Sequence, residues 1–182
     1  TIAPYLLSRA LGQALKRAAE IRGRAVVVTP ATSVLKSQKT LDNDNLRRGV
    51  RGGLTGAYAQ SKLAFAVLNT QLAAEFRDDG IECFAVDPGI NRTGMTTGSG
   101  APLPVRLLWR LLPKPTVGAA RLAAMLDDEW RGQSGSLVMG GKARPLPGGA
   151  DAPSVVAALL EIVSVASGGM PPRIESERSV DV

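Results

Sequence analysis

Two short apolar runs on either side of a long helical pattern limit the folds open to this chain. The first, Arg24 to Thr29, reads RAVVVT, and the second, Ile81 to Val86, reads IECFAV. Apolar runs without polar alternation are typical of strands buried on both faces of a parallel sheet. A helical pattern runs between them from about residue 54 to residue 78. Strand, helix and strand in this order predict an α/β layer sandwich with a parallel sheet.

The remaining patterns extend this prediction over most of the chain. Further helices are predicted over 4–20, 105–112, 117–130 and 154–166, and a third strand over 136–139. Thr116 and Ser154 are placed to cap the last two helices. The stretches 30–53, 90–104 and 145–153 are predicted to be connections because they are polar or rich in glycine and proline. A single domain over 1–166 accounts for these elements, and 167–182 is predicted to be a flexible tail.

The absence of histidine excludes several kinds of active site. Without it the chain has no Ser-His-Asp triad, no histidine-activated cysteine and no HExxH zinc site. We predict no metal centre. The single cysteine, Cys83, cannot form an internal disulfide and lies in an apolar run, so we expect a buried structural thiol. This is compatible with a reducing compartment, and we expect a cytoplasmic protein.

The charge balance does not favour nucleic acid as a partner. The net charge is +6 and the pI about 10.0, but the basic residues are spread along the chain and only 4% of residues are aromatic. Nucleic-acid sites need clustered charge and, for single strands, stacking platforms. A basic balance also suits a site for a phosphorylated cofactor. No apolar run is long enough to span a membrane.

Tyr58 and Lys62 are the first candidates for chemistry. They are four residues apart at the start of the long helical pattern, so they share one face of the helix. A phenol normally has a pKa near ~10, and a nearby ammonium lowers that pKa by stabilising the phenolate. The pair could therefore exchange a proton with a ligand. The alternative is that Tyr58 and Lys62 are two surface residues that fall at helical spacing by chance. The rest of the sequence decides between these interpretations.

Three separate signals are predicted to meet at one edge of the sheet. Ligands of parallel α/β sheets bind outside the carboxyl ends of the strands. The residues after Thr29, the turn after Pro88 and the helix start at Tyr58 all fall there. A functional site at that edge is therefore predicted.

The motifs at this edge resemble those of the short-chain dehydrogenase/reductase family. The resemblance is carried by AYAQSK at 57–62 and DPGINRT at 87–93, with a strand between them. It is most similar to the branch containing retinol dehydrogenases, in which a long polar insertion precedes a similar motif. The similarity covers about 4–166, the C-terminal part of such an enzyme. It implies a Rossmann-like three-layer sandwich and NAD(P)-dependent oxidoreductase activity, with no preference between NAD and NADP assigned.

The resemblance also implies a role for each matching residue. Tyr58 would be the general acid/base, and Lys62 would bind the nicotinamide ribose and lower the pKa of the phenol. Pro88, Gly89 and Ile90 would place backbone beside the nicotinamide, and Thr93 would contact the cofactor's amide or phosphates. An ordinary turn at the end of a strand is the alternative for Pro88 and Gly89.

The hydroxyl that such enzymes direct at the substrate carbonyl has two candidates. Spacing back from Tyr58 places it at Ser33, whereas strand register places it at Thr29 or Pro30. We predict Ser33, with Thr29 as the second choice.

The glycine-rich turn of the family, which holds the cofactor's pyrophosphate, has no counterpart in this sequence. We therefore expect a domain truncated on its N-terminal side, with the strand at 25–29 left as an open edge. The resemblance also implies a homo-oligomer paired through the helices at 4–20 and 54–78. A catalytically inactive remnant that acts by association is the alternative function.

The substrate pocket is expected to be lined by residues 94–112, whose apolar content indicates an apolar alcohol, aldehyde or ketone. Within it, 105–112 is predicted to be a lid on that pocket. The alternative is insertion into a membrane surface, with Arg106 and Arg110 at anionic headgroups.

Overall fold

The structure is a computed structural model that describes residues 2–48, 53–94 and 107–168. Its α-helices are α1 (Ile2–Ala10), α2 (Gly12–Arg22), α3 (Asn43–Arg48), α4 (Gly53–Glu75), α5 (Pro115–Ala123) and α6 (Pro153–Ala166). Its strands are β1 (Ala25–Pro30), β2 (Ile81–Val86), β3 (Leu137–Met139) and β4 (Lys142–Arg144). Short 3-10 turns connect them at Ser33–Ser37, Arg77–Asp79, Trp109–Leu111, Ala124–Leu126, Asp128–Trp130 and Pro147–Gly149.

The four described strands form one sheet in the order β1-β2-β3-β4. β1 and β2 pair in parallel from Ala25 opposite Ile81 to Pro30 opposite Val86, and β3 continues the sheet in parallel. This confirms the predicted α/β fold and the three predicted strands. β4 was not predicted, and it pairs antiparallel with β3.

Helices and turns cover both faces of the sheet, which gives the three layers expected of a Rossmann-like fold. Side chains alternate between the faces because a strand has a period of two. On β2, Cys83 and Ala85 join the core formed with α1 and α4, whereas Phe84 and Val86 join a second cluster with Met125 and Trp130. Continuous apolar runs in β1 and β2 are thus explained by burial on two sides.

The long helix α4 is buried around much of its circumference. Seven consecutive residues, Leu63 to Asn69, are buried, so the helix is enclosed more completely than a single apolar stripe implies. Such helices belong to the interior of a fold. α4 therefore fixes Tyr58 and Lys62 relative to the sheet on which it packs.

Two predicted helices differ from the observed ones. The pattern over 4–20 becomes α1 and α2, separated at Leu11, although Leu11 still accepts a hydrogen bond from Leu15. The pattern over 117–130 ends as an α-helix at Ala123. Beyond it the chain continues in 3-10 turns, where the guanidinium of Arg24 donates hydrogen bonds to the carbonyls of Met125, Leu126 and Asp127. Those carbonyls would otherwise belong to a continuing helix.

The predicted caps were also wrong. α5 begins at Pro115 and α6 at Pro153, so neither Thr116 nor Ser154 is the capping residue. Proline suits the first turn of a helix because its missing N–H would have no partner there.

The helical segment predicted over 105–112 lies partly outside the described residues. Its described part includes the 3-10 turn Trp109–Leu111. Leu107, Leu108 and Leu111 are exposed there. The predicted tail lies almost wholly outside the described residues. Within the described ranges, no helix combines the length and the apolar character needed to cross a bilayer.

Candidate active site

Tyr58 and Lys62 lie together at the carboxyl end of β1. Both belong to α4, and the Lys62 ammonium lies 5.9 Å from the centre of the Tyr58 ring. Nζ of Lys62 donates a hydrogen bond of 2.8 Å to the carbonyl oxygen of Pro30, the last residue of β1. Tyr58 as a residue is 37% exposed. The two side chains are therefore neighbours at this edge of the sheet, as their helical spacing predicts.

The environment of Lys62 is partly dry. Burial lowers the pKa of its ammonium, because removal from water disfavours the charged form. The same desolvation strengthens the interaction of that charge with neighbouring groups. The Lys62 ammonium is therefore held in a partly desolvated position at the carboxyl end of β1.

The two candidate hydroxyls occupy different positions. Thr29 is buried in β1 opposite Ala85 and lines a cleft together with Lys62. Ser33 begins the 3-10 turn after β1 and is half-buried. It is not among the residues that line that cleft. Neither side chain has a hydrogen bond to Tyr58 in the described structure.

The cleft beside Thr29 and Lys62 has a volume of about 280 Å³. It follows the outer edge of β1 and is bounded by α1 and α4, with a lining that is mostly apolar. β1 has no strand on this side in the described sheet. The predicted open edge is thus observed. The segment expected to line the substrate pocket, 94–112, lies largely outside the described residues.

The turn after β2 is held by several polar side chains. Asp87 accepts a 2.9 Å hydrogen bond from the N–H of Gly89. Asn91 donates to the carbonyls of Pro88 and Gly89, at 3.0 and 2.9 Å. Gly89 has a φ of 75°, a conformation that favours glycine. The turn is therefore defined by its own sequence, and its outer residues Ile90 and Thr93 are exposed.

Arg121 is a member of this site that sequence reasoning missed. It lies on α5, and its Nη1 donates a 3.0 Å hydrogen bond to the carbonyl of Pro88. The guanidinium also lies against Gly89, where a Cβ atom would overlap Nη1. Nothing in the local sequence of α5 indicated this contact, because it joins residues 33 positions apart.

Gln60, inside the AYAQSK motif, was also missed. Its buried amide accepts from the N–H of Asp42 at 2.9 Å and donates to Gln38 and the Thr40 carbonyl, at 2.8 and 2.9 Å. One side chain therefore fixes the connection between β1 and α3 to the same helix turn that carries Tyr58. A polar residue on the buried face of α4 was the available signal.

The residues present fit one end of a dinucleotide cofactor. Lys62 supplies a hydrogen-bond donor at the carboxyl edge of the sheet, and Gly89 lies at the same edge with the Arg121 guanidinium against it. Both suit a nicotinamide riboside. The glycine-rich turn that would hold the pyrophosphate end has no counterpart in the sequence.

Comparison with known proteins identifies a fold neighbour and no sequence relatives. No protein-family model matches the chain, and no curated protein matches it in sequence. Among solved structures it is similar to the carbonyl reductase Sniffer of D. melanogaster, with a TM-score of 0.56 and 24% identity. The match covers 81% of this chain and 53% of that one, so this chain spans about half the neighbour's length. The similarity shows the fold.

Proposed function

We propose that this chain carries the catalytic half of an NAD(P)-dependent oxidoreductase of the short-chain dehydrogenase/reductase type. Its substrate would be an apolar alcohol, aldehyde or ketone. The observation that carries the proposal is the position of Lys62, which lies between the Tyr58 ring and the end of β1. The fold neighbour supports it, since that protein is described as a carbonyl reductase.

Tyr58 is the proton donor in the direction of carbonyl reduction. Its O–H bond breaks as the carbonyl oxygen takes the proton, and the phenolate left behind is stabilised by the ammonium of Lys62. A bound reduced nicotinamide would supply the hydride. The reverse reaction returns the alcohol proton to Tyr58. A hydroxyl from Ser33 or Thr29 would polarise the carbonyl by donating a hydrogen bond to its oxygen.

The other residues position these groups. Lys62 is held by the Pro30 carbonyl, so its charge has a fixed place relative to the phenol. Asn91 and Arg121 hold the Pro88–Gly89 turn that would lie against the nicotinamide. Gln60 keeps the connection after β1 close to α4. Cofactor preference is left as NAD or NADP.

The test is a comparison of the chain's two tyrosines. Turnover is measured from the loss of NADPH or NADH absorbance at high cofactor concentration, with a panel of apolar aldehydes and ketones. Tyr58→Phe keeps the ring and removes the proton, so we expect turnover to fall about 10²-fold or more. The control is Tyr5→Phe, which removes a hydroxyl bonded to Glu75 at 2.9 Å in the α1–α4 contact. Equal turnover in both variants would exclude Tyr58 as the proton donor.

We also propose a second candidate function, association without catalysis. It is favoured by the outer edge of β1, which is unpaired among the described strands, and by Leu7 and Leu11, which are 60% and 47% exposed on the neighbouring helical segment. The predicted homo-oligomer would pair through α1, α2 and α4. Analytical ultracentrifugation distinguishes the two functions: a concentration-dependent dimer with no turnover on any substrate supports association.

A further inference from the structure

A second cleft lies at the opposite edge of the sheet from Tyr58, at the amino ends of the parallel strands. Its volume is about 850 Å³, which is within the range of small-molecule sites. It is bounded by Arg24, by Arg77 in the 3-10 turn after α4, by Glu82 near the start of β2 and by the segment 131–136. We call it the arginine cleft. No step of the proposed oxidoreductase reaction uses it.

Arg24 and Glu82 form an ion pair in the arginine cleft, and their side chains are only 8% and 16% exposed. Glu82 binds the Arg24 side chain through one carboxylate oxygen and accepts the N–H of Gly132 through the other, at 2.6 Å. The remaining nitrogens of Arg24 donate to backbone carbonyls. Neither charge is therefore available to a ligand, and the pair fixes the shape of the cleft.

The remaining lining offers donors and positive charge. Arg77 is exposed and has no hydrogen bond or ion pair within the described part of the chain. The Arg131 guanidinium forms an ion pair with Asp128 through Nε only. The side chains of Arg131 and Asp128 are 53% and 84% exposed, and ion pairs exposed to this extent contribute little to stability. The oxygen of Ser134 accepts the N–H of Cys83, which leaves the hydroxyl proton to be donated. Three arginines line the cleft against one glutamate.

We propose that the arginine cleft binds a phosphorylated small molecule, held through the guanidinium groups of Arg77 and Arg131 and the hydroxyl of Ser134. Guanidinium groups bind phosphate oxygens in pairs, because their donors form a fixed fork. A phosphate monoester carries about −1.5 to −2 charges at neutral pH, so it is attracted more strongly than a carboxylate. Arg131 would exchange its exposed bond to Asp128 for bonds to the ligand.

The test uses inorganic phosphate as the probe, titrated calorimetrically in a buffer without phosphate and at constant ionic strength. The double variant Arg77→Gln with Arg131→Gln removes both guanidinium groups proposed to hold the phosphate. Its dissociation constant is expected to rise about tenfold or more, which corresponds to about 1.4 kcal/mol or more. The matched control is Arg110→Gln with Arg144→Gln, which makes the same change in net charge at exposed positions elsewhere. Its affinity is expected to stay within twofold of the parent.

Three outcomes would overturn the proposal. One is no phosphate binding by the parent at millimolar concentration. Another is an equal loss in both double variants, which would show a general charge effect. The third is a parent that sediments with vesicles of phosphatidic acid and phosphatidylcholine but does not respond to soluble phosphate. Circular dichroism of each variant checks that the fold is retained, as expected for side chains at the surface.

Discussion

Replacement of Gly89 by alanine tests how the turn after β2 is held. At a φ of 75°, alanine costs about 1–2 kcal/mol of stability relative to glycine. The new methyl group would also displace the guanidinium of Arg121. Because that group is exposed, it can move into solvent, and the cost is its 3.0 Å hydrogen bond to Pro88. Such a bond contributes about 1 kcal/mol, so we expect a total loss of about 2–3 kcal/mol.

A second glycine provides the matched control. Gly140 lies between β3 and β4 at a φ of 60°, and a Cβ atom there would have no neighbour within 4 Å. Gly140→Ala should therefore cost only the backbone conformation, about 1–2 kcal/mol. Both substitutions restrict the unfolded chain to the same extent, so that effect cancels in the comparison.

A double-mutant cycle with Arg121→Ala isolates the contact. The free energy of unfolding is measured by urea denaturation, followed by far-UV circular dichroism. With Arg121 absent, Gly89→Ala should cost about as much as Gly140→Ala, which corresponds to a coupling energy of about 1 kcal/mol. A coupling energy below about 0.3 kcal/mol would mean that Arg121 does not hold this turn.

Three further predictions concern the site and the core. Ser33→Ala should lower turnover with little effect on cofactor affinity; if Thr29→Val does so instead, strand register was the better guide to the catalytic hydroxyl. Calorimetric titration of this chain with NADPH and NADH should give binding weaker than micromolar, because the sequence lacks a glycine-rich pyrophosphate turn. Micromolar binding by a monodisperse sample would contradict this prediction. Burial raises the pKa of the Cys83 thiol from 9.0 to about 12. The buried protonated thiol therefore stabilises the fold fully below pH 9, and this stabilisation is lost as the pH rises toward 12. Thermal unfolding midpoints between about pH 8 and pH 11 should therefore fall less in Cys83→Ala than in the parent, and parallel curves would contradict the assignment.

The sequence predicted the strands of the sheet well because burial on two faces leaves a clear pattern. β1 and β2 were placed to within one residue, since their apolar runs have no polar interruption. β4 could not be predicted in the same way. It has only three residues, two of them charged, and all three are exposed, so its single signal was the Gly140-Gly141 turn before it.

The side-chain contacts that complete the site were beyond prediction from sequence. Tyr58 and Lys62 lie one helical turn apart, so their spacing alone is enough to bring them together. Arg121 and Arg24 instead reach residues far away in sequence, and no local pattern encodes such a contact. Arg24 shows the consequence most clearly, because it bonds to residues 125–127 in 3-10 turns, where the pattern extended a helix to 130.

The same Arg24 contact bears on the order in which the chain folds. Arg24 bonds to carbonyls 101 to 103 residues further along, whereas the pairing of β1 with β2 closes a shorter loop through α4. Closing long loops costs entropy before any contact compensates for it, so proteins rich in distant pairings fold slowly. We expect the Arg24 contacts to form late, after the rate-limiting step. Arg24→Met should then speed unfolding in stopped-flow experiments and leave the refolding rate unchanged, and slower refolding would place Arg24 in the folding nucleus.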